Sequence, residues 1–207
     1  MKTNKCVKRD VCLTFNYDCS KKAFFIPSAR EASVSRDGMK IYLSEIVKQQ
    51  KINLASITSV TCTITIPAQI TINMVDDLTD FGILRSDVNF ILKEKSVLNF
   101  SFSMVKNVSY CYQECERHCN CPILGVDKTL KFTLQESGAC AQVNGNCFGR
   151  QKRSFSFKTI QKHMASDTQS SVCIKGVLDA QALFKSDNLV YVERNLENVT
   201  AKQINKN

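Results

Sequence analysis

The chain has 207 residues, 43% of them hydrophobic, and a formal net charge of +9 at pH 7. That apolar fraction excludes a disordered or fibrous chain and supplies a core for one large domain or two small ones. It holds 11 cysteines, no tryptophan and only His118 and His163 as imidazoles. A core of this size needs no disulfides to fold, and an odd cysteine count leaves at least one thiol for metal, for solvent or for another chain.

In chain order, residues 1–10, MKTNKCVKRD, hold little to bury and are expected to form a flexible arm. No apolar run of signal-peptide length opens the chain, and no segment reaches the ~20 apolar residues of a membrane span. Synthesis in a cytosol is therefore expected. Leu13, Phe15 and Tyr17 then alternate with Cys12, Thr14 and Asn16, which predicts a strand with one apolar face. Met39, Ile41 and Leu43 follow a turn at Asp37-Gly38, and 44–51 is a weak helical candidate. From Val60 to Met74 the alternation is unbroken through Cys62, Ile64, Ile66, Ala68, Ile70 and Ile72. A single strand of that length would run about 50 Å, and Pro67 removes a ladder donor, so an edge or a corner between two sheets is expected there. Leu98, Phe100, Phe102 and Met104 form the next face, then Leu130, Phe132 and Leu134 after Asp127-Lys128, then Phe155 and Phe157, Val172 and Ile174, and Val190 and Val192. Residues 178–186, LDAQALFKS, are the best helix candidate, and 194–207 reads as a mobile polar tail.

Many short strands, each with one apolar face, predict an all-β antiparallel β-sandwich of jelly-roll type with at most one or two short helices. The expected organisation is one domain over 11–193, interrupted by a cysteine-rich insertion at 107–128. No internal repeat at a fixed period is evident.

That insertion carries CYQECERHCNC, with Cys111, Cys115, His118, Cys119 and Cys121. On a helix Cys111, Cys115 and Cys119 share one face, and thiolates with a neutral imidazole suit a tetrahedral zinc ion. The usual pair of C-x2-C knuckles is missing, so disulfide use of these cysteines competes with metal binding. Cys119 and Cys121 lie too close along an extended chain to bond each other well, and each seeks another partner. Cys140 and Cys147 bracket a short segment with Gly145 and are candidates for an intramolecular bridge. Cys62 and Cys173 sit in strands, Cys62 on the apolar side as a small buried hydrophobe. Cys6, Cys12 and Cys19 crowd the amino terminus, where exposed thiols reach a neighbouring chain.

The basic cluster Arg150, Lys152, Arg153, Lys158 and Lys162 reads either as a solvated surface or as a polyanion contact, with Phe155 and Phe157 as core residues or base-stacking platforms. Arg150–Arg153 also resembles a dibasic processing site, and Asn99, Asn107 and Asn198 open N-x-S/T triplets. No phosphate loop, nucleophile elbow or zinc-protease motif is present, so no catalytic residue and no small-molecule substrate is expected.

The amino-terminal cysteines, the CYQECERHCNC cluster and the β-rich remainder together resemble in composition the cysteine-rich self-assembling coat, exosporium and appendage proteins of spore-forming bacteria. The resemblance implies a structural subunit, made reduced and later locked to copies of itself by disulfides in an extracellular or spore-surface layer. Cys6, Cys12, Cys19, Cys111, Cys115, Cys119 and Cys121 are the candidates for those links. Two other readings compete: a basic, zinc-dependent nucleic-acid-binding protein, and a viral coat or surface subunit.

Overall fold

The computed structural model describes residues 9–18, 23–26, 29–32, 40–48, 57–81, 83, 85–105, 125–149, 154–179 and 181–206. The first part contains β1 (Arg9–Asp18), β2 (Ala23–Ile26), β3 (Ala29–Ala32), β4 (Lys40–Tyr42) and helix α1 (Leu43–Lys48). Strands then follow in pairs: β5 (Ile57–Ile66) and β6 (Thr71–Asp76), β7 (Arg85–Leu92) and β8 (Val97–Val105), β9 (Val126–Leu134) and β10 (Cys140–Gly149). The last are β11 (Ser154–His163) and β12 (Gln169–Leu178), then β13 (Leu183–Val192) and β14 (Thr200–Lys206).

Two sheets enclose the core, in the orders β13-β11-β9-β7-β5-β1-β2-β3 and β14-β12-β10-β8-β6-β4. Successive strands alternate between the sheets, and every pairing from β4 onward is parallel. The chain is therefore a parallel β-solenoid and not an antiparallel sandwich or jelly roll. Antiparallel pairing is confined to β1–β2 and β2–β3 among the described residues. Alternating apolar and polar residues report only that one face of a strand is buried. In most parallel sheets helices cover both faces and remove that signal. In a solenoid the opposite sheet covers one face and water the other, so a parallel strand carries the alternation of an antiparallel one.

The stacking step is 29 residues in the last coils, from Cys140 to Gln169 and from Ser154 to Leu183. It is 26 from Ser59 to Arg85, and 42 from Arg85 to Asp127, where the cysteine-rich segment intervenes between β8 and β9. This unequal spacing is why no fixed period shows in the sequence.

Each corner between paired strands holds a left-handed residue two positions before the next strand, and the β13–β14 corner holds a second, Asn195. Those two positions before a strand are Gln69, Lys95, Gly138, Asp167 and Asn198, with φ between 53° and 74°. Their amides bridge from coil to coil: Gln69 N–H to the Glu94 carbonyl at 2.8 Å, Lys95 to Ser137 at 2.9 Å, and Asp167 to Glu197 at 3.0 Å. The side-chain strain at Gln69 and Lys95 is held by this ladder. The corner at Pro67 falls inside the first of these turns, as expected from its missing N–H.

The core follows the predicted apolar faces of β5, β6, β8, β9, β11 and β12 and adds that of β7, which the sequence reading did not name. Val60, Cys62, Ile64 and Ile66 of β5 lie in register under Ser86, Val88, Phe90 and Leu92 of β7, and those under Lys128, Leu130, Phe132 and Leu134 of β9. Phe90 stacks on Phe132 at 5.7 Å and meets Phe100 of the opposite sheet edge-on at 5.1 Å. Such pairs add about 0.5–1.5 kcal/mol each beyond burial. Phe102 stacks on Phe157 at 4.9 Å. Its ring occupies the space over Gly145, where a Cβ would lie 2.2 Å from the Phe102 Cζ.

Two further expectations are corrected. Residues 178–186 are no helix: Leu178 ends β12, a turn follows, and Leu183 opens β13. The polar tail 194–207 contains β14, which pairs with β12 from Gln169–Thr200 to Lys175–Lys206. In both, backbone pairing to a preceding coil supplies the order that local periodicity did not announce. Helix α1 overlaps the weak candidate 44–51, starting one residue before it, and buries Leu43, Ile46 and Val47.

Candidate assembly surface at the C-terminal coil

The columns of the first sheet change character toward the carboxyl end. Over Leu130, Phe132 and Leu134 of β9 come Thr159, Gln161 and His163 of β11, all with no solvent exposure. Over those come Asn188, Val190 and Val192 of β13. Thr159 donates to the Asn188 side-chain oxygen at 2.6 Å, and Asn188 donates to Ser186 at 2.8 Å. The two His163 ring nitrogens face Thr168 at 2.8 Å and Ser170 at 2.9 Å. Thr168 gives its proton to the Ala165 carbonyl, and Ser170 gives its proton to Gln161. The Gln161 Nε2 has no partner. Exchanging the two ends of the Gln161 amide would let its NH2 donate to Ser170 and release the Ser170 proton to the imidazole, which is what a neutral ring requires. Burial drives the His163 pKa below its ordinary value.

One charged pair is wholly enclosed. The Lys128 ammonium donates to the Asp76 Oδ2, both side chains fully buried. The other Asp76 oxygen accepts the Leu78 amide at 3.1 Å, and the ammonium sits 5.3 Å from the Phe102 ring centre. The sequence reading put Asp127-Lys128 just ahead of the apolar face Leu130, Phe132 and Leu134 and missed this pair, because nothing local distinguishes an inward lysine from a solvated one.

The predicted bridge between Cys140 and Cys147 is not formed. They stand seven residues apart on the straight strand β10, about 23 Å at ~3.3 Å per residue, Cys140 facing outward and Cys147 inward. Burial raises the Cys140 thiol and pushes that of Cys147 up to about 12, which keeps the latter protonated and inert. Gly145 lies inside the strand and not at a turn. Cys62 is buried on the apolar face of β5, and Cys173 is half-buried on the outer face of β12. Cys12 lies in β1, beside Thr61 of β5. Cys6, Cys19, Cys111, Cys115, His118, Cys119 and Cys121 lie outside the described residues, as do Arg150, Lys152 and Arg153.

Phe155 and Phe157 are core residues, so they offer no stacking face to a base. On the outer face of the same strand, Lys158 is exposed and reaches Asp187 at 3.8 Å. The outer face of the second sheet is uncharged around Asn73, Asn99, Ser101 and Asn144, which line a shallow trough. There the Asn99 amide is taken up by Asn73 at 2.9 Å, and the Asn198 amide donates to Asp167 at 2.9 Å. No group of three or more metal-ligating side chains occurs among the described residues, and no helix there is long and apolar enough to cross a membrane.

No family model, curated protein or solved structure matches this chain. The geometry alone must locate the site.

It points to the last coil. β13 and β14 are the terminal strands of their sheets, and each is paired on one side only among the described residues. Five of the large exposed apolar side chains are on β13: Leu183 at 67%, Leu189 at 53%, Val190 at 42%, Tyr191 at 45% and Val192 at 45%. Val177 and Leu178 extend the patch along the end of β12. A strand edge paired on one side only, with exposed apolar side chains along it, is open to pairing with a further strand. No single segment of the sequence announces it. Val190 and Val192 follow the inward pattern and were read as core, and only the absence of a described coil above them exposes them.

Proposed function

We propose that this protein is a structural subunit that assembles with copies of itself into a coat, layer or filament. The C-terminal coil is the observation that carries the reading: among the described residues β13 and β14 are paired on one side only, and β13 carries five large exposed apolar side chains. The cysteine-rich composition, similar to that of spore coat and appendage proteins, supports locking of the assembly by intermolecular disulfides outside the cell. The buried, protonated Cys147 takes no part in that locking. Cys6, Cys12, Cys19 and the Cys111–Cys121 group are the candidates.

The test is sedimentation of the purified full chain across a concentration series, with electrophoresis under oxidising and reducing conditions. Concentration-dependent oligomers, joined into a thiol-sensitive ladder on oxidation, are expected. A chain that sediments as a monomer throughout, and runs as a monomer without reductant, would overturn the proposal.

A further inference from the structure

The outer face of β13 reads Leu183, Lys185, Asp187, Leu189 and Tyr191, and its first four residues are symmetric in position about Ser186 of the inner face. Those four side chains are exposed, while Phe184, Ser186 and Asn188 between them are half-buried toward the interior. The order is a chemical palindrome: apolar, basic, acidic, apolar. A palindrome of this kind is self-complementary when the strand pairs antiparallel with a second copy of itself.

The geometry points to a two-fold dimer in which β13 of one copy pairs antiparallel with β13 of a second copy, centred on Ser186. This deepens the assembly reading above and rests on it. Two copies can share the same free edge, with outer faces kept on one side, only if the strands run in opposite directions. Antiparallel register then pairs residues symmetrically about the axis. Centred on Ser186, Lys185 of each copy faces Asp187 of the other, and Leu183 faces Leu189. Every charge meets its opposite and every exposed leucine meets a leucine. Centred one residue earlier, Lys185 faces itself, and one residue later, Asp187 faces itself. Cross-strand pairs discriminate among such registers because like charges directly opposite each other repel.

Two further observations agree. The Asp187 carboxylate already reaches the Lys158 ammonium at 3.8 Å on one side, and the proposed contact places a second ammonium on its open side. β14 cannot serve in the same way. Its sequence TAKQINK carries Lys202 and Lys206 and no acid, so it has no self-complementary register. The dimer makes one continuous sheet of two copies and covers the unpaired edge, by the same strand addition that peptides use on open sheets.

A charge-swap set tests this. Lys185→Asp and Asp187→Lys each place like charges across the axis, and the double variant restores the pairs with inverted sign. Sedimentation equilibrium is run in the presence of reductant, so that only non-covalent association is read, with thermal unfolding to verify that each variant is folded. The expected result is at least a tenfold weaker dimer for each single variant and recovery in the double variant. If the parent dimerises and the single variants dimerise equally, the interface lies elsewhere; the inference fails and the assembly reading stands. If association is lost in the singles and not regained in the double, the Ser186-centred register is wrong. A parent that is monomeric at all concentrations, with or without reductant, removes both.

Discussion

The middle coils and the last coils are built on the same strand register and end up as different materials. In β6 to β10 the interior is mostly aromatic and aliphatic, and among the described residues its one buried ion pair, Lys128 with Asp76, is sealed from water. In β11 to β14 the same columns hold Thr159, Gln161, His163, Ser186 and Asn188, and the outermost valines face solvent. A coil in the middle buries its inward residues against neighbours on both sides; the final coil has one neighbour. Apolar side chains there would be exposed in a monomer, and a polar interior satisfied by hydrogen bonds blunts that liability. Val190 and Val192 of the last coil stay exposed where Phe132 and Leu134 of the same columns are buried.

Replacing Lys128 by alanine should have the largest effect. It leaves the Asp76 carboxylate buried without its counter-ion and should cost about 3–5 kcal/mol in urea unfolding. Lys128→Met with Asp76→Leu should recover most of that loss. A small effect of the single variant would mean that the middle coils admit water and do not differ from the end.

The comparison is sharpest within one column. Leu134→Ala removes a fully buried side chain and should cost about 2–5 kcal/mol. Val192→Ala, two coils above it in the same column and 45% exposed, should cost under about 1 kcal/mol in the monomer. Equal losses would show that the last coil is as well packed as the middle.

Gly145→Ala forces a methyl group into the Phe102 ring and should destabilise by about 1–3 kcal/mol. Asn146→Ala on the outer face of β10 is the control and should fall within about 0.5 kcal/mol of the parent.

The smallest effect is the pH response of the end. The folded pKa of His163 lies below the ordinary value of 6.5 because the ring is buried. The groups facing it are Leu134, Gln161, Thr168, Ser170 and Val192, none of which titrates. The unfolded chain therefore takes up a proton first as pH falls. Stability from the neutral ring is complete above the ordinary histidine value and is lost below it, down to the folded value. Thermal unfolding on the two sides of that value should show a decline in acid that His163→Gln reduces. An unchanged decline in the variant would assign the acid sensitivity to other groups.

Alternation in the sequence was enough to place most strands and to choose the inward residues of β5, β6, β8, β9 and β12, while β7 and β10 went unread. The period of two is a property of the strand itself, and Leu98, Phe100, Phe102 and Met104 declare it without any neighbour. The same residues were silent on strand direction, because a buried face looks alike whether its neighbour runs parallel or antiparallel. The repeat was hidden by the segment between β8 and β9, and the site by its dependence on position. Residues 183–186 read as the end of a helix, and the pattern Leu183–Leu189 matters only because β13 is the terminal strand of its sheet among the described residues. The cysteine pattern was fully visible, yet which thiols are buried depends on β10 running straight from Cys140 to Cys147. Local chemistry determined which residues form strands and which face of each is apolar. Stacking decided the order of the strands, the enclosure of Lys128 with Asp76 and the open edge at the end, because each joins residues that only coil-on-coil register brings together.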